Sequence, residues 1–155
     1  MPPRKKSAPP RTTFRTREQE AAVGLLRTTD AIRRHFSAIV EPHGITLQQY
    51  NVLRILRGAG KKGLPTLTIG ERMVEQTPGV TRLIDRLVRK GLVGRRPCDD
   101  DRRRVWCYIT PPGLRLLAKL EEPVARGDVT SVAPLSPAEL DRLIGLLDRI
   151  RAYNE

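Results

Sequence analysis

The chain has 155 residues, 39% hydrophobic but only 4% aromatic, which is enough for one domain with a real core and, with its many Leu, Ile and Val, fits a helical protein. Its 29 Lys and Arg outweigh 17 Asp and Glu to give a formal charge of +12, with a pI near 10.8, so a polyanionic partner is expected. A membrane surface is the competing polyanion, but the absence of a long apolar segment or lipidation signal leaves nucleic acid in front.

Residues 1–17 hold six basic residues, four prolines and no acid, a composition that buries too little apolar surface to order itself, and are read as a disordered basic tail. The tail either adds phosphate contacts, as basic arms do, or is merely solvated. No apolar stretch follows its charges, so it is not a secretory signal and a cytoplasmic location is expected.

From Glu18 to Val40, Leu25, Leu26, Ile32, Phe36, Ile39 and Val40 fall mostly on one side of a helical wheel, predicting a long amphipathic helix that stops before Pro42 and Gly44. Thr46 followed by Gln49 is a capping box, opening a second helix to Arg57 with Leu47, Tyr50, Leu53 and Leu56 as its stripe. Gly58–Pro65 reads as a loop and Thr66–Glu75 as a short third helix with Leu67, Ile69, Met73 and Val74 inward. Thr66 and Thr68 then lie near phosphates.

Thr77 is a candidate N-cap with Pro78 at the first helical position, and Val80, Leu83, Ile84, Leu87 and Val88 form an apolar stripe ending near Gly91. With the preceding helix this makes a helix-turn-helix, Gln76 and Thr77 lying in the turn. At 100° per residue the opposite face carries Pro78, Arg82, Asp85, Arg86 and Arg89, flanked by Gly79 and Thr81. Leu92–Arg96 and Arg103–Ile109 can pair as a hairpin closed by Pro97–Arg102, with Val105, Cys107 and Ile109 on one face and Arg104, Trp106 and Tyr108 on the other. A hairpin tipped with arginines directly after a basic helix is a winged-helix arrangement, in which the helix enters the major groove and the wing reaches phosphates or the minor groove. Trp106 and Tyr108 either touch sugar edges or pack on the body of the domain.

Pro111 and Pro112 open a fifth helix behind the Thr110 cap, which Pro123 and Gly127 are expected to kink or interrupt. Ser136, Pro137 and Glu139 make a second capping box that starts a last helix with Leu140, Leu143, Ile144, Leu147 and Ile150 inward.

Two cysteines and two histidines give little chemistry of their own. If Arg96 pairs with Arg103, Cys98 sits at the hairpin tip and Cys107 faces Leu92, too far apart for a disulfide, whose Cα atoms lie within about 7 Å. Cys107 is read as a core residue and Cys98 as an exposed thiol whose neighbouring arginines make a redox sensor the rival role. His35 and His43 lack companions at metal spacing. With no nucleophile elbow, phosphate loop or carboxylate pair, no catalytic residue, cofactor or metal is expected, and an enzyme is excluded as the reading.

The run VTRLIDRLVRKGLVGRRPCDDDRRRVWCYITPPG resembles the recognition helix and wing of the MarR family of bacterial transcriptional regulators, matching its TRL-DRL, GLV-R, DRR and LT-x-x-G pattern, with Ile109 in place of the Leu. The resemblance extends more weakly over about residues 18–152. It implies a mainly α fold with a small β-hairpin wing. Residues 18–155 would form one MarR-like domain, with a winged helix-turn-helix lobe at 46–110 and dimerisation helices at 18–42 and 111–152. The DNA-binding residues implied are Thr77, Pro78, Gly79, Thr81, Arg82, Arg86 and Arg89 on the recognition helix, and Arg96, Asp101, Arg102, Arg103 and Arg104 on the wing. Asp101 would hold the wing tip while Arg103 enters the minor groove, whose narrow form favours arginine. Neither cysteine matches the family's sensing position near the first helix. The expected partners are double-stranded DNA, a second copy of the chain and a small-molecule effector of unknown identity. Family effectors often bind between the dimer helices and the lobe, where Arg33, Arg34, His35 and Tyr50 lie. The expected function is thus that of a sequence-specific, ligand-responsive repressor. A homodimer would set two recognition helices about 34 Å apart on a pseudo-palindromic operator. A non-specific architectural DNA binder and a redox regulator using Cys98 are the alternatives.

Overall fold

The computed structural model describes residues 13–75, 78–97 and 105–155. The chain divides into two compact units, residues 1–32 and 33–155, and helix α1 (Arg17–Val40) contributes to both. In the first, Thr16 caps α1: its hydroxyl accepts from Gln19 N at 3.1 Å, while the Gln19 side chain accepts from Arg15 N at 2.9 Å. Leu26, counted above among the inward residues, is 72% exposed.

In the second unit the elements follow as α2 (Leu47–Ala59), β1 (Leu64–Pro65), α3 (Thr66–Arg72), α4 (Val80–Arg89), β2 (Val93–Pro97), β3 (Val105–Ile109), α5 (Pro111–Val132) and α6 (Pro137–Asn154). The capping box at α2 is formed, with Gln49 N on the Thr46 hydroxyl at 3.2 Å and Thr46 N on the Gln49 carbonyl oxygen at 3.1 Å. These bonds satisfy Gln49 at a buried position, so α2 can begin inside the core instead of fraying at its edge. Val52, Leu53 and Leu56 of α2 pack with Ile69, Ile84, Leu87, Val93, Cys107, Leu117 and Leu120, all fully buried or nearly so. The three strands are antiparallel in the order β1, β3, β2.

Helix α4 ends in a Schellman motif. Gly91 adopts φ +70°, Leu92 N donates to Leu87 O and Gly91 N to Val88 O. The Thr110 hydroxyl donates to Gly91 O at 2.6 Å and accepts from Gly113 N at 3.3 Å, joining the end of α4 to the start of α5.

Several expectations are corrected. Helix α4 starts at Val80 with Gly79 as its N-cap at φ +94°, so Pro78 precedes the helix instead of occupying its first position. Thr77 lies outside the described residues. Helix α3 stops at Arg72 because Met73 turns extended. With only seven residues it buries Ile69 alone, followed by Met73 just past its end, while Leu67 and Val74 are 75% and 87% exposed. Helix α5 passes through Pro123 and Gly127 without interruption. Gly127 is a packing site, since a Cβ there would stand 2.7 Å from Ile39 Cδ1 and 3.0 Å from Phe36 Cε1. No residue of α6 is buried, and Ile144 and Ile150 are about half exposed.

The hairpin register also differs: Arg96 pairs with Trp106 and Arg95 with Cys107, a shift of three residues along β3. The cause lies in the Gly94–Tyr108 pair, where the ring of Tyr108 lies against glycine backbone and a Cβ at 94 would be 2.3 Å from Tyr108 Cζ. Gly94→Ala is expected to destabilise by about 1–3 kcal/mol through this clash, read from the denaturation midpoint. In a Tyr108→Ala background the same substitution should cost little; an equal cost there would show that the ring is not the obstacle.

Candidate nucleic-acid interface

Burial of Leu83, Ile84 and Leu87 orients α4. At 100° per residue the opposite side must face outward, and Pro78, Gly79, Thr81, Arg82, Arg86 and Arg89 are all exposed. Among the described residues, none of the Arg82, Arg86 and Arg89 side chains forms an ion pair. Three guanidinium groups without an ion-pair partner among the described residues thus share one helix face, available to hydrogen-bond acceptors beyond the chain.

Asp85, on the same helix, reaches across to β2, where Arg95 Nη2 lies 2.7 Å from its Oδ1. Arg95 points to the inner side of the sheet beside Cys107, whose buried Sγ is 3.8 Å from the Thr66 hydroxyl. Partial burial works against the charged form of Arg95, but hydrogen bonds and attraction from Asp85 and Cys107 outweigh it and raise the pKa above the ordinary value. Thr66 is therefore turned toward the core side of the wing, not only toward solvent.

The outer side of the sheet is layered cation on ring. The Arg96 guanidinium lies 5.8 Å from the Tyr108 ring centroid and donates to the carbonyls of Lys61 and Lys62 at 3.1 and 2.8 Å. The Lys62 ammonium lies 5.2 Å from the Trp106 centroid. Of the two readings for Trp106 and Tyr108, packing on the domain is what the structure shows. Arg96, read from sequence as a wing contact, holds the turn at Gly60–Lys62. Reasoning from sequence missed Arg95, Lys61 and Lys62: the two lysines sit in a stretch read only as loop, and Arg95 comes inward only in the observed register. Cys98, Asp101, Arg102, Arg103 and Arg104 lie outside the described residues.

A cavity of about 440 Å³ opens behind this lobe, its wall including Arg33, Phe36, Tyr50, Asn51, Arg54, Met73 and Glu75. Arg33 Nη2 meets Glu75 Oε1 at 2.6 Å, and Asn51 Oδ1 accepts from Val74 N at 3.0 Å, so the extended segment after α3 forms part of the wall. Of the other residues read as effector-site candidates, Tyr50 lines the cavity, while His35 Nε2 lies 3.3 Å from the Thr130 hydroxyl. Among the described residues no group of three or more His, Cys, Asp and Glu side chains is placed to hold a metal ion, and no helix is long and apolar enough to cross a membrane.

Comparison with known proteins gives the same assignment. The MarR family model matches residues 45–105, the segment from the α2 cap to the wing. The chain is 39% identical to a MarR transcription factor from Planctomyces limnophilus of known structure, covering 88% of this chain and 98% of that one with a TM-score of 0.68. It is 34% identical over 120 residues to the transcriptional regulatory protein assigned to the hcr operon of Thauera aromatica, which is 77% of this chain and 71% of that protein. It is also 25% identical to the homoprotocatechuate degradative operon repressor of Escherichia coli, over 84% of this chain and 86% of that protein. A basic helix braced to a basic wing, within relatives matched over most of their length, identifies the chain as a member of the MarR family of DNA-binding transcriptional regulators.

Proposed function

We propose that the protein is a cytoplasmic, ligand-responsive repressor that binds a pseudo-palindromic operator as a homodimer. The carrying observation is the exposed α4 face, where Arg82, Arg86 and Arg89 stand without described ion-pair partners. In this reading α4 enters the major groove with Pro78, Gly79 and Thr81 permitting close backbone approach. The wing residues Arg102, Arg103 and Arg104, with Asp101 orienting the tip, reach the adjacent minor groove. Thr77, outside the described residues, is assigned a phosphate contact by the sequence pattern alone.

The dimer reading is supported by apolar surface that one chain leaves open. Ile144, Leu146, Ile150 and Tyr153 of α6 are 51%, 44%, 46% and 90% exposed, more than a monomeric surface usually concentrates on one helix. Ligand response is supported by the cavity: its size suits a small ligand, Phe36 and Tyr50 supply ring surface, and Arg54 supplies a cation. One relative represses a degradative operon for an aromatic acid, homoprotocatechuate.

The test is fluorescence anisotropy with duplexes tiling the DNA upstream of the protein's own gene, against scrambled competitor at near-physiological salt. One duplex should bind roughly a thousandfold more tightly than competitor. Uniform, steeply salt-dependent binding would support an architectural DNA binder instead. On the preferred duplex, Arg89→Ala should reduce the slope of log affinity against log salt by about one unit if Arg89 contacts phosphate, and Arg103→Ala should weaken binding while leaving the dimer intact.

Ile144→Glu should shift the protein from dimer to monomer in sedimentation equilibrium and remove tight operator binding with it; a dimer of unchanged affinity would place the subunit contact elsewhere. For the cavity, homoprotocatechuate is the first probe. It should raise the melting temperature and release the operator, and Arg54→Ala should weaken both effects; a response unaltered by Arg54→Ala would move the ligand out of this cavity.

A further inference from the structure

Asp85 is a carboxylate on a helix whose outward face otherwise presents arginine to a polyanion. Its natural helical partners are Arg82, three residues before, and Arg89, four residues after. It pairs instead with Arg95 on β2, at 2.7 Å. The choice has two consequences. Arg82 and Arg89 are left without an ion-pair partner among the described residues, and the middle of α4 is tied to the first strand of the wing. Arg95 is in turn paired across the sheet with Cys107, beside the Thr66 hydroxyl at the start of α3. One polar thread thus connects α3, α4, β2 and β3 at the point where the helix-turn-helix meets the wing.

We propose that Asp85 and Arg95 are positioning residues whose ion pair fixes the spacing and angle between α4 and the wing, while neither contacts DNA. The proposal rests on the DNA-recognition reading above for its effect on affinity, though not for the brace itself. A negative charge beside a DNA-facing surface lowers affinity for every duplex by simple repulsion, so a carboxylate that contributed nothing else would be better removed. A brace reverses that sign for the correct sequence. With it, a helix in one groove and an arginine in the next engage together; without it, each engagement costs the ordering of the other.

Asp85→Asn, nearly isosteric, separates the two effects. A positioning role predicts that operator affinity falls about tenfold, the size of one lost base contact, while affinity for scrambled duplex stays level or rises. A rise in affinity for both duplexes would overturn the proposal. Arg95→Gln should leave the salt slope unchanged; a decrease of about one unit would mean that Arg95 touches phosphate and is no brace. Arg95→Lys, which keeps the charge, and the exchanged pair Asp85→Arg with Arg95→Asp should each recover part of the lost operator preference. Thermal unfolding and sedimentation of each variant separate these effects from misfolding or dissociation. In the free protein, backbone amides of β2 and β3 should exchange with solvent faster in Asp85→Asn than in the wild type. Unchanged exchange would overturn the brace whether or not an operator is found, and absence of a preferred duplex for the wild type would instead count against the regulatory reading.

Discussion

The burial of Leu83, Ile84 and Leu87 is the constraint from which the rest of the lobe follows. A helix can rotate about its axis only until its apolar side chains lose their contacts, and three large residues sunk into one core hold α4 firmly. Once they are in place, the positions of Arg82, Arg86 and Arg89 are no longer free: each lies on the turns facing away from the core. A basic surface is easily made by composition alone, but a basic surface of fixed geometry requires a core that cannot turn. Here the core and the charged face belong to the same ten residues.

The wing depends on that helix in turn. The Schellman turn at Gly91 delivers the chain into β2, and the Thr110 hydroxyl bonds the same glycine as the chain leaves β3. Both roots of the hairpin are therefore anchored at the end of α4. Further out, the two faces of the sheet are held differently. Arg95 is tied inward to Asp85, and Arg96 lies outward over Tyr108 against the carbonyls of Lys61 and Lys62. Consecutive arginines that look equivalent in sequence are separated by the alternation of a strand into two distinct anchors.

What was legible in the sequence was whatever local chemistry determines. The caps at Thr46, Thr110 and Ser136 appear where hydroxyl and carboxamide or carboxylate spacing placed them, and the stripe of α4 is buried as its period required. What was not legible depends on distant partners. The hairpin register is set by a ring on one strand lying over a glycine on the other, which periodicity along a single strand does not reveal. Pro123 looked like a break because proline removes a helix donor, yet Leu117, Leu120, Val124 and Gly127 keep one side of α5 against the core through it. In α3 the apolar count misled, since a helix of seven residues has too few turns to bury every apolar residue it contains. The wing tip lies outside the described residues, so the proposed roles of Asp101 and Arg103 stand on the sequence pattern.

The cavity and the proposed DNA surface are linked through α3 and the segment that follows it. The segment just after α3 forms part of the cavity wall, where Glu75 meets Arg33 and Val74 N is held by Asn51, and α3 begins beside the wing, where Thr66 approaches Cys107. Along its length α3 packs closely on α4, and a Cβ at Gly70 would fall 3.3 Å from Val80 Cγ2, so that the valine would have to yield by a few tenths of an ångström. A packed interior resists gradual deformation, so a ligand that displaced the 73–75 segment far enough to move α3 would shift the helix as a body instead of bending it. Because α3 touches both the start of α4 and the root of the wing, that shift would disturb both proposed DNA contacts at once. A helix this short leaves only about two turns between the cavity wall and the proposed DNA contacts.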